Sequence, residues 1–143
     1  MTIQELLSEY EELVDWEEQC DYLIDIGREL PVFPEEFKTD SNIVHGCQSR
    51  VWLVAGLDQS HDHEFVRLQA DSDAMIVRGL IAVLLAAYQN KTPQQVLDTD
   101  IEGLFERMGL NRHLSSSRRN GLHGMVERIR RYASEIVGAE GSQ

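Results

Sequence analysis

Met75, Ile76, Val77, Leu80, Ile81, Val83, Leu84 and Leu85 leave a helix drawn through them with almost no polar face. A helix that is apolar nearly all round is stable only when other elements surround it. The segment from Ala74 to about Gln89 is therefore expected to be a central core helix, and the rest of the chain must be arranged to cover it. Gly79 inside it costs helix propensity and points to close packing against a neighbour. Asp71-Ser72-Asp73 stand before it as N-cap residues, whose oxygens suit the orphan amides and the dipole of a helix start. Capping accounts for this triplet without a divalent cation, the other ligand such a cluster suggests.

The covering elements can be read on both sides. Thr2-Ile3-Gln4-Glu5 has the form of a capping box, with Ile3, Leu6, Leu7, Tyr10, Leu13 and Val14 at helical spacing. Asp15-Trp16-Glu17-Glu18 opens a second helix, in which Trp16, Cys20, Leu23 and Ile24 form one apolar stripe. Cys20 is thus expected to be a small buried hydrophobe. Gly27, Pro31 and Pro34 end that helix, and Glu35 to Ser41 reads as an exposed acidic connection. Val51 to Ala55 is β-rich, and Val66, Leu68 and Ala70 alternate with polar residues, so two strands are expected with a hairpin connection from Gly56 to Glu64. A short strand near Ile43-Val44 would extend them to a small antiparallel sheet. Beyond the core helix, Thr92-Pro93 and Asp100 open two further helices. A last one starts near Ser115 to Ser117, with Leu122, Met125, Val126, Ile129, Ala133 and Ile136 on one face. Helices packed on one face of a small antiparallel sheet make an α+β fold. Residues 1–138 are expected to be a single domain and 139–143 a frayed tail.

The balance of 13 Lys and Arg against 25 Asp and Glu gives a net charge of −12 over 143 residues, which argues against nucleic acid or an anionic membrane as partner. It favours a partner with a basic docking surface. The longest apolar run, Leu80 to Ala87, is too short to span a bilayer. Met1-Thr2-Ile3-Gln4-Glu5 leads into a charged amphipathic segment and not a signal pattern. Cys20 and Cys47 are the two cysteines and have neither disulfide-framework nor metal-site spacing, so a reducing cytoplasmic compartment is expected.

Cys47 lies off any apolar stripe. Its neighbours His45, Gly46, Gln48, Ser49 and Arg50 suit a polar loop, and the strand Val51-Trp52 follows at once. A thiol with the usual pKa of about 8.5 is a few per cent thiolate at neutral pH. His45, Arg50 or a helix end could raise that fraction, which makes Cys47 the leading nucleophile; the plainer alternative is an incidental surface cysteine. His45 as a general base would need an orienting acid that the sequence does not identify. His61-Asp62-His63 could suggest a metal, yet a short hairpin lacks the four supported ligands of a stable zinc site. Arg118 and Arg119 stand at the start of the last helix, where the dipole disfavours cations. They read either as a solvated turn or as partners for an anion.

Four blocks carry a family resemblance: Trp16-Glu17-Glu18; Gly46-Cys47-Gln48-Ser49-Arg50-Val51-Trp52; Asp71-Ser72-Asp73-Ala74 with Ile76-Val77-Arg78-Gly79-Leu80; and Leu114-Ser115 with Ser117-Arg118 and Gly121-Leu122. From about Tyr10 to Tyr132 the chain resembles the SufE family, sulfur acceptors that work with a PLP-dependent cysteine desulfurase in iron–sulfur cluster assembly. The resemblance implies a SufE/IscU-like fold. It also implies that Cys47 takes sulfur as a persulfide from a SufS-type desulfurase, stimulates it, and hands the sulfur to a SufBCD scaffold. On this reading the chain is a carrier and activator, not an enzyme. It needs no metal and no cofactor of its own, PLP belonging to the desulfurase.

By the same resemblance Arg118 supports the thiolate or the partner interface. Asp73 influences loop order or docking, and His45, Gly46 and Gln48 shape the loop. Family structures shelter the cysteine in a partly apolar pocket, which suits a persulfide that small thiols and oxidants would otherwise reach. The hairpin around His61 and His63 departs from the usual member in length. A CsdE-type acceptor serving another sulfur pathway, a standalone cysteine-dependent thioltransferase or hydrolase, and a homodimer all stay open at this stage.

Overall fold

A computed structural model describes residues 1–45, 49–59 and 63–141. Two helices, α1 (Ile3–Glu11) and α2 (Trp16–Gly27), open the chain. Their starts are set locally: Thr2 Oγ1 accepts from the Glu5 N–H at 3.2 Å, and Asp15 Oδ1 from the Glu18 N–H at 3.0 Å. Glu18 reaches back to accept from the Val14 N–H, so the α1–α2 junction is closed from both sides. Two short 3₁₀ turns, Glu35–Phe37 and Asp40–Asn42, follow in the acidic connection.

Strands β1 (Val51–Asp58) and β2 (Phe65–Ser72) pair antiparallel, with Val51 opposite Ser72 and Asp58 opposite Phe65. The ladder continues past Ala55, because Gly56 and Leu57 pair with Arg67 and Val66. The connection is therefore 59–64, shorter than the Gly56 to Glu64 expected from sequence. The Ile43-Val44 strand is reduced to one bridge, Ile43 to Trp52, with the Val44 N–H donating to the Val51 carbonyl at 2.9 Å.

Helix α3 (Met75–Tyr88) is the core helix, with Leu80, Ile81, Val83 and Tyr88 almost wholly buried. Gly79 lets it lie directly on α2: a Cβ placed there would stand 2.2 Å from the Leu23 carbonyl oxygen, and one on Gly27 would stand 2.6 Å from the Gly79 nitrogen. The two glycines meet backbone to backbone, which explains the propensity cost seen in the sequence. Helices α4 (Pro93–Asp98) and α5 (Ile101–Arg107) start on Thr92, with a full capping box, and on Asp100. Gly109, at φ +72°, ends α5. A one-turn helix α6 (Leu110–His113) follows that sequence periodicity did not indicate.

The last helix, α7 (Ser116–Gly141), continues through Gly138 and buries Leu122, Met125, Val126, Ile129 and Ala133. The helices and the inner face of the sheet (Leu53, Val66, Ala70) share one hydrophobic cluster, giving an α+β architecture with the helices on that face. Among the described residues no helix is long and apolar enough to cross a membrane.

One local expectation is overturned. Asp71-Ser72-Asp73 do not cap α3: Ala74 is its N-cap residue, and no side chain caps the helix start. The triplet instead ends β2, and the register that puts Ser72 opposite Val51 brings it to the chain leaving the Cys47 segment.

Candidate functional site

Of the sequence-predicted site residues, Gly46, Cys47 and Gln48 lie outside the described residues, as does His61 of the hairpin. The structure does place the chain on either side of Cys47. On the entering side, Arg128 of α7 donates from both terminal nitrogens, at 2.8 Å to the Ile43 carbonyl and at 2.7 Å to the Ser41 carbonyl. This planar fork grips the backbone at two points, a geometry that lysine cannot copy. One residue further, the His45 carbonyl and the Val44 side chain each lie 3.2 Å from where a Cβ on Gly124 would be, so a bare stretch of α7 seats this stem. His45 itself is exposed at the turn, with no side-chain hydrogen bond among the described residues.

On the leaving side, the Arg50 N–H donates to Asp73 Oδ1 at 3.0 Å and its carbonyl accepts from the Asp73 N–H at 3.3 Å. The buried Ser72 hydroxyl donates to the same Arg50 carbonyl at 2.7 Å and accepts from the Ala74 N–H at 3.1 Å. Asp71 accepts from the Ser72 N–H and holds Arg78 and Lys38 as ion pairs at 3.1 and 3.6 Å. Lys38 in turn sits over the Trp52 ring at 5.3 Å. Asp73, to which the resemblance assigns an influence on loop order or docking, thus anchors the backbone of Arg50.

Beside Ser49, on the leaving side, lies a cleft of about 110 Å³. Its floor is apolar, from Val77 and Leu80 of α3 and Leu122 and Met125 of α7. Ser49, two residues after Cys47 in the chain, and Arg118 stand at its rim. Arg118 is exposed, and its guanidinium makes no hydrogen bond or ion pair among the described residues. Ser115 accepts from the Arg118 N–H at 3.3 Å and so caps α7. Arg119, its neighbour in sequence, is committed instead to the Asn111 carbonyl and to Ser116. Of the two arginines, only Arg118 is left to meet an anion. The acidic net charge of the chain does not extend to this cleft.

Cys20 is half-buried, packed against the core and open to a neighbouring groove, so its expected burial is only partial. Its thiol is pushed up from the ordinary value by burial, then by the nearby Asp21, with Arg118 pulling weakly the other way. That makes it a slower nucleophile than an ordinary thiol, though one still open to the groove. Among the described residues no group of three or more His, Cys, Asp or Glu side chains is placed to hold a metal, and His63 packs near Phe65 at 6.4 Å.

The residues that sequence reasoning missed are Arg128 and Gly124. Both lie on α7 about eighty residues from the stem they hold, a pairing no local pattern announces.

The family model described as "SufE: Fe-S metabolism associated domain" matches residues 4–133. A SufE-like protein of Rhizobium etli is 39% identical over 138 residues, covering 96% of this chain and 93% of that protein. The solution structure of a hypothetical protein from Thermus thermophilus superposes with a TM-score of 0.74, covering 96% of this chain and 99% of that one; at 20% identity it speaks for the fold alone. The match of the family model to nearly the whole chain, together with a full-length relative, means that the chain belongs to the SufE family.

Proposed function

We propose that this protein accepts sulfur on Cys47, as a persulfide, from a PLP-dependent cysteine desulfurase of the SufS type, and delivers it to a SufBCD-type scaffold for iron–sulfur cluster assembly in the cytoplasm. What supports the reading, beyond family membership, is the pair of clamped stems on either side of the Cys47 segment, together with a cleft at Ser49 whose Arg118 guanidinium makes no hydrogen bond or ion pair among the described residues.

The step follows the logic of thiol–disulfide exchange. The Cys47 thiolate attacks the outer sulfur of the persulfide on the desulfurase cysteine. A new S–S bond forms on Cys47, the S–S bond on the desulfurase breaks, and its cysteine sulfur leaves with the electron pair and takes up a proton. No electrons enter or leave the pair, and no metal or cofactor is called for on this chain.

Arg118 would favour the anionic form of the attacking sulfur, since an opposite charge nearby stabilises a thiolate. The apolar floor from Val77, Leu80, Leu122 and Met125 would keep water and small thiols from the loaded sulfur. Removing the product from the desulfurase would stimulate its turnover, which makes the protein an activator.

The test is to incubate the protein with a SufS-type desulfurase and L-cysteine, then map added sulfur by mass spectrometry under non-reducing conditions. One extra sulfur on Cys47, absent without the desulfurase and absent in Cys47→Ser but retained in Cys20→Ser, is the expected result. Sulfur on Cys20 instead, or full stimulation of the desulfurase by Cys47→Ser, would overturn the assignment.

A further inference from the structure

On the far side of Arg118 from the cleft lies a second depression, a groove of about 470 Å³. Trp16, Cys20 and Ile24 of α2 form one wall, Met75 at the start of α3 another, and His113 and Arg118 the end. Three observations single it out. Met75 is 48% exposed, although it begins the helix that forms the centre of the core. The Trp16 and His113 rings stack at 4.8 Å and 7°, so this end of the groove is a preformed flat surface. In a chain of net charge −12, none of the described residues lining the groove is acidic, and the one fixed charge among them is the guanidinium of Arg118. Arg118 and Ser115 line the groove and the cleft together, so the two are continuous.

We infer that this groove seats a segment of the sulfur donor that presents an apolar side chain beside a carboxylate, the apolar group lying between Trp16 and Met75 and the carboxylate meeting Arg118. The inference rests on the proposed function for the identity of the donor. Its charge pattern comes from the groove itself: an apolar, cation-ended gap in an acidic surface selects an apolar, acid-bearing partner. Seating the donor here brings it to the edge where the groove meets the cleft, at Ser115 and Arg118. Docking and transfer then use adjacent surfaces that meet at Arg118.

The experiment has two readings on the full-length protein and a SufS-type desulfurase. Met75→Glu puts a carboxylate into the groove, at a helix start where negative charge suits the dipole, and circular dichroism checks that the fold is kept. Its dissociation constant for the desulfurase, by titration calorimetry, is expected to rise about tenfold or more, as for loss of a buried anchor. Met75→Leu, which keeps an apolar side chain in the groove, is expected to keep the affinity. Cys20 supplies the second reading: its alkylation by iodoacetamide, followed by mass spectrometry, is expected to slow several-fold when desulfurase is bound. Unchanged affinity in Met75→Glu, or an unprotected Cys20, overturns the groove while sulfur transfer to Cys47 still stands. Absence of any transfer to wild-type Cys47 overturns the proposed function and this inference together.

Discussion

Arg50 and Asp73 hold each other by two hydrogen bonds, the Arg50 N–H on Asp73 Oδ1 at 3.0 Å and the Asp73 N–H on the Arg50 carbonyl at 3.3 Å. This closed pair extends the β1–β2 ladder by one step beyond Val51 and Ser72 and fixes the point at which the Cys47 segment rejoins the sheet. Asp73→Ala removes the charge-assisted half of the pair and leaves the backbone half. Because the bond is exposed, global stability should fall by only about 1 kcal/mol. The rate of sulfur acceptance should fall by a larger factor, since the leaving stem loses its register. Urea unfolding set beside single-turnover transfer checks this; losses in proportion would point to a purely structural role.

Arg128→Lys addresses the entering stem. A lysine keeps the charge but cannot donate to the Ser41 and Ile43 carbonyls at once. Amide hydrogen exchange should quicken at Ile43 and Val44 while α3 stays protected, and the melting temperature should drop by a few degrees at most. Exchange unchanged at Val44 would mean that the bridge to β1 suffices without the clamp.

Gly79→Ala should be far more damaging than its size suggests. The added methyl would stand 2.2 Å from the Leu23 carbonyl oxygen, so α2 and α3 must separate. Overpacking of this kind costs about 1–3 kcal/mol or more, against the gain of up to about 1 kcal/mol that alanine normally brings over glycine in a helix. A thermal melt of the variant decides between the two signs.

Tyr10 and Tyr88, both almost wholly buried, have hydroxyls pushed up to about 12 by burial. In the unfolded chain the same groups ionise near 10. Between these values the folded state keeps protons that the unfolded state has lost, so stability is full below pH 10 and falls as pH rises towards 12. At pH 11 the loss should be about 1 kcal/mol for each tyrosine. Tyr10→Phe should flatten the decline, while costing the hydrogen bond from Tyr10 to the Met108 carbonyl at every pH. Denaturant midpoints at pH 9 and pH 11 measure both effects.

What can be read in the sequence is what is decided within one turn or one face. Thr2, Asp15, Thr92 and Asp100 announce helix starts because each cap bond spans only a few residues. The α3 core and the α7 stripe are periodic and are likewise visible. The Asp71-Ser72-Asp73 triplet misleads for the same reason: its local pattern suits a cap, while its real partner, Arg50, comes from strand register. Helix α6 is a single turn fixed by Gly109 and too short to show a period. The cleft is invisible in sequence because Ser49, Leu80 and Arg118 come from three separate segments. A link from Asp73 to the Cys47 loop comes into the sequence reading only through family resemblance, whereas Arg118 is legible as an anion partner from its place at a helix start; in the structure Asp73 anchors the Arg50 backbone and Arg118 borders the cleft.

One helix serves the site at both ends. Arg118, Leu122 and Met125 at the cleft, and Gly124 and Arg128 at the entering stem, belong to α7, and ten residues of helix set Arg118 and Arg128 about 15 Å apart. Helix α7 is in effect a gauge rod whose graduations must stay in phase. Inserting one residue after Leu122 would turn everything beyond it by about 100°, carrying Arg128 away from the Ser41 and Ile43 carbonyls while Arg118 kept its place. The helix itself could survive such a change, so the length of this stretch, as much as the identity of any side chain in it, sets whether cleft and stem face the same point.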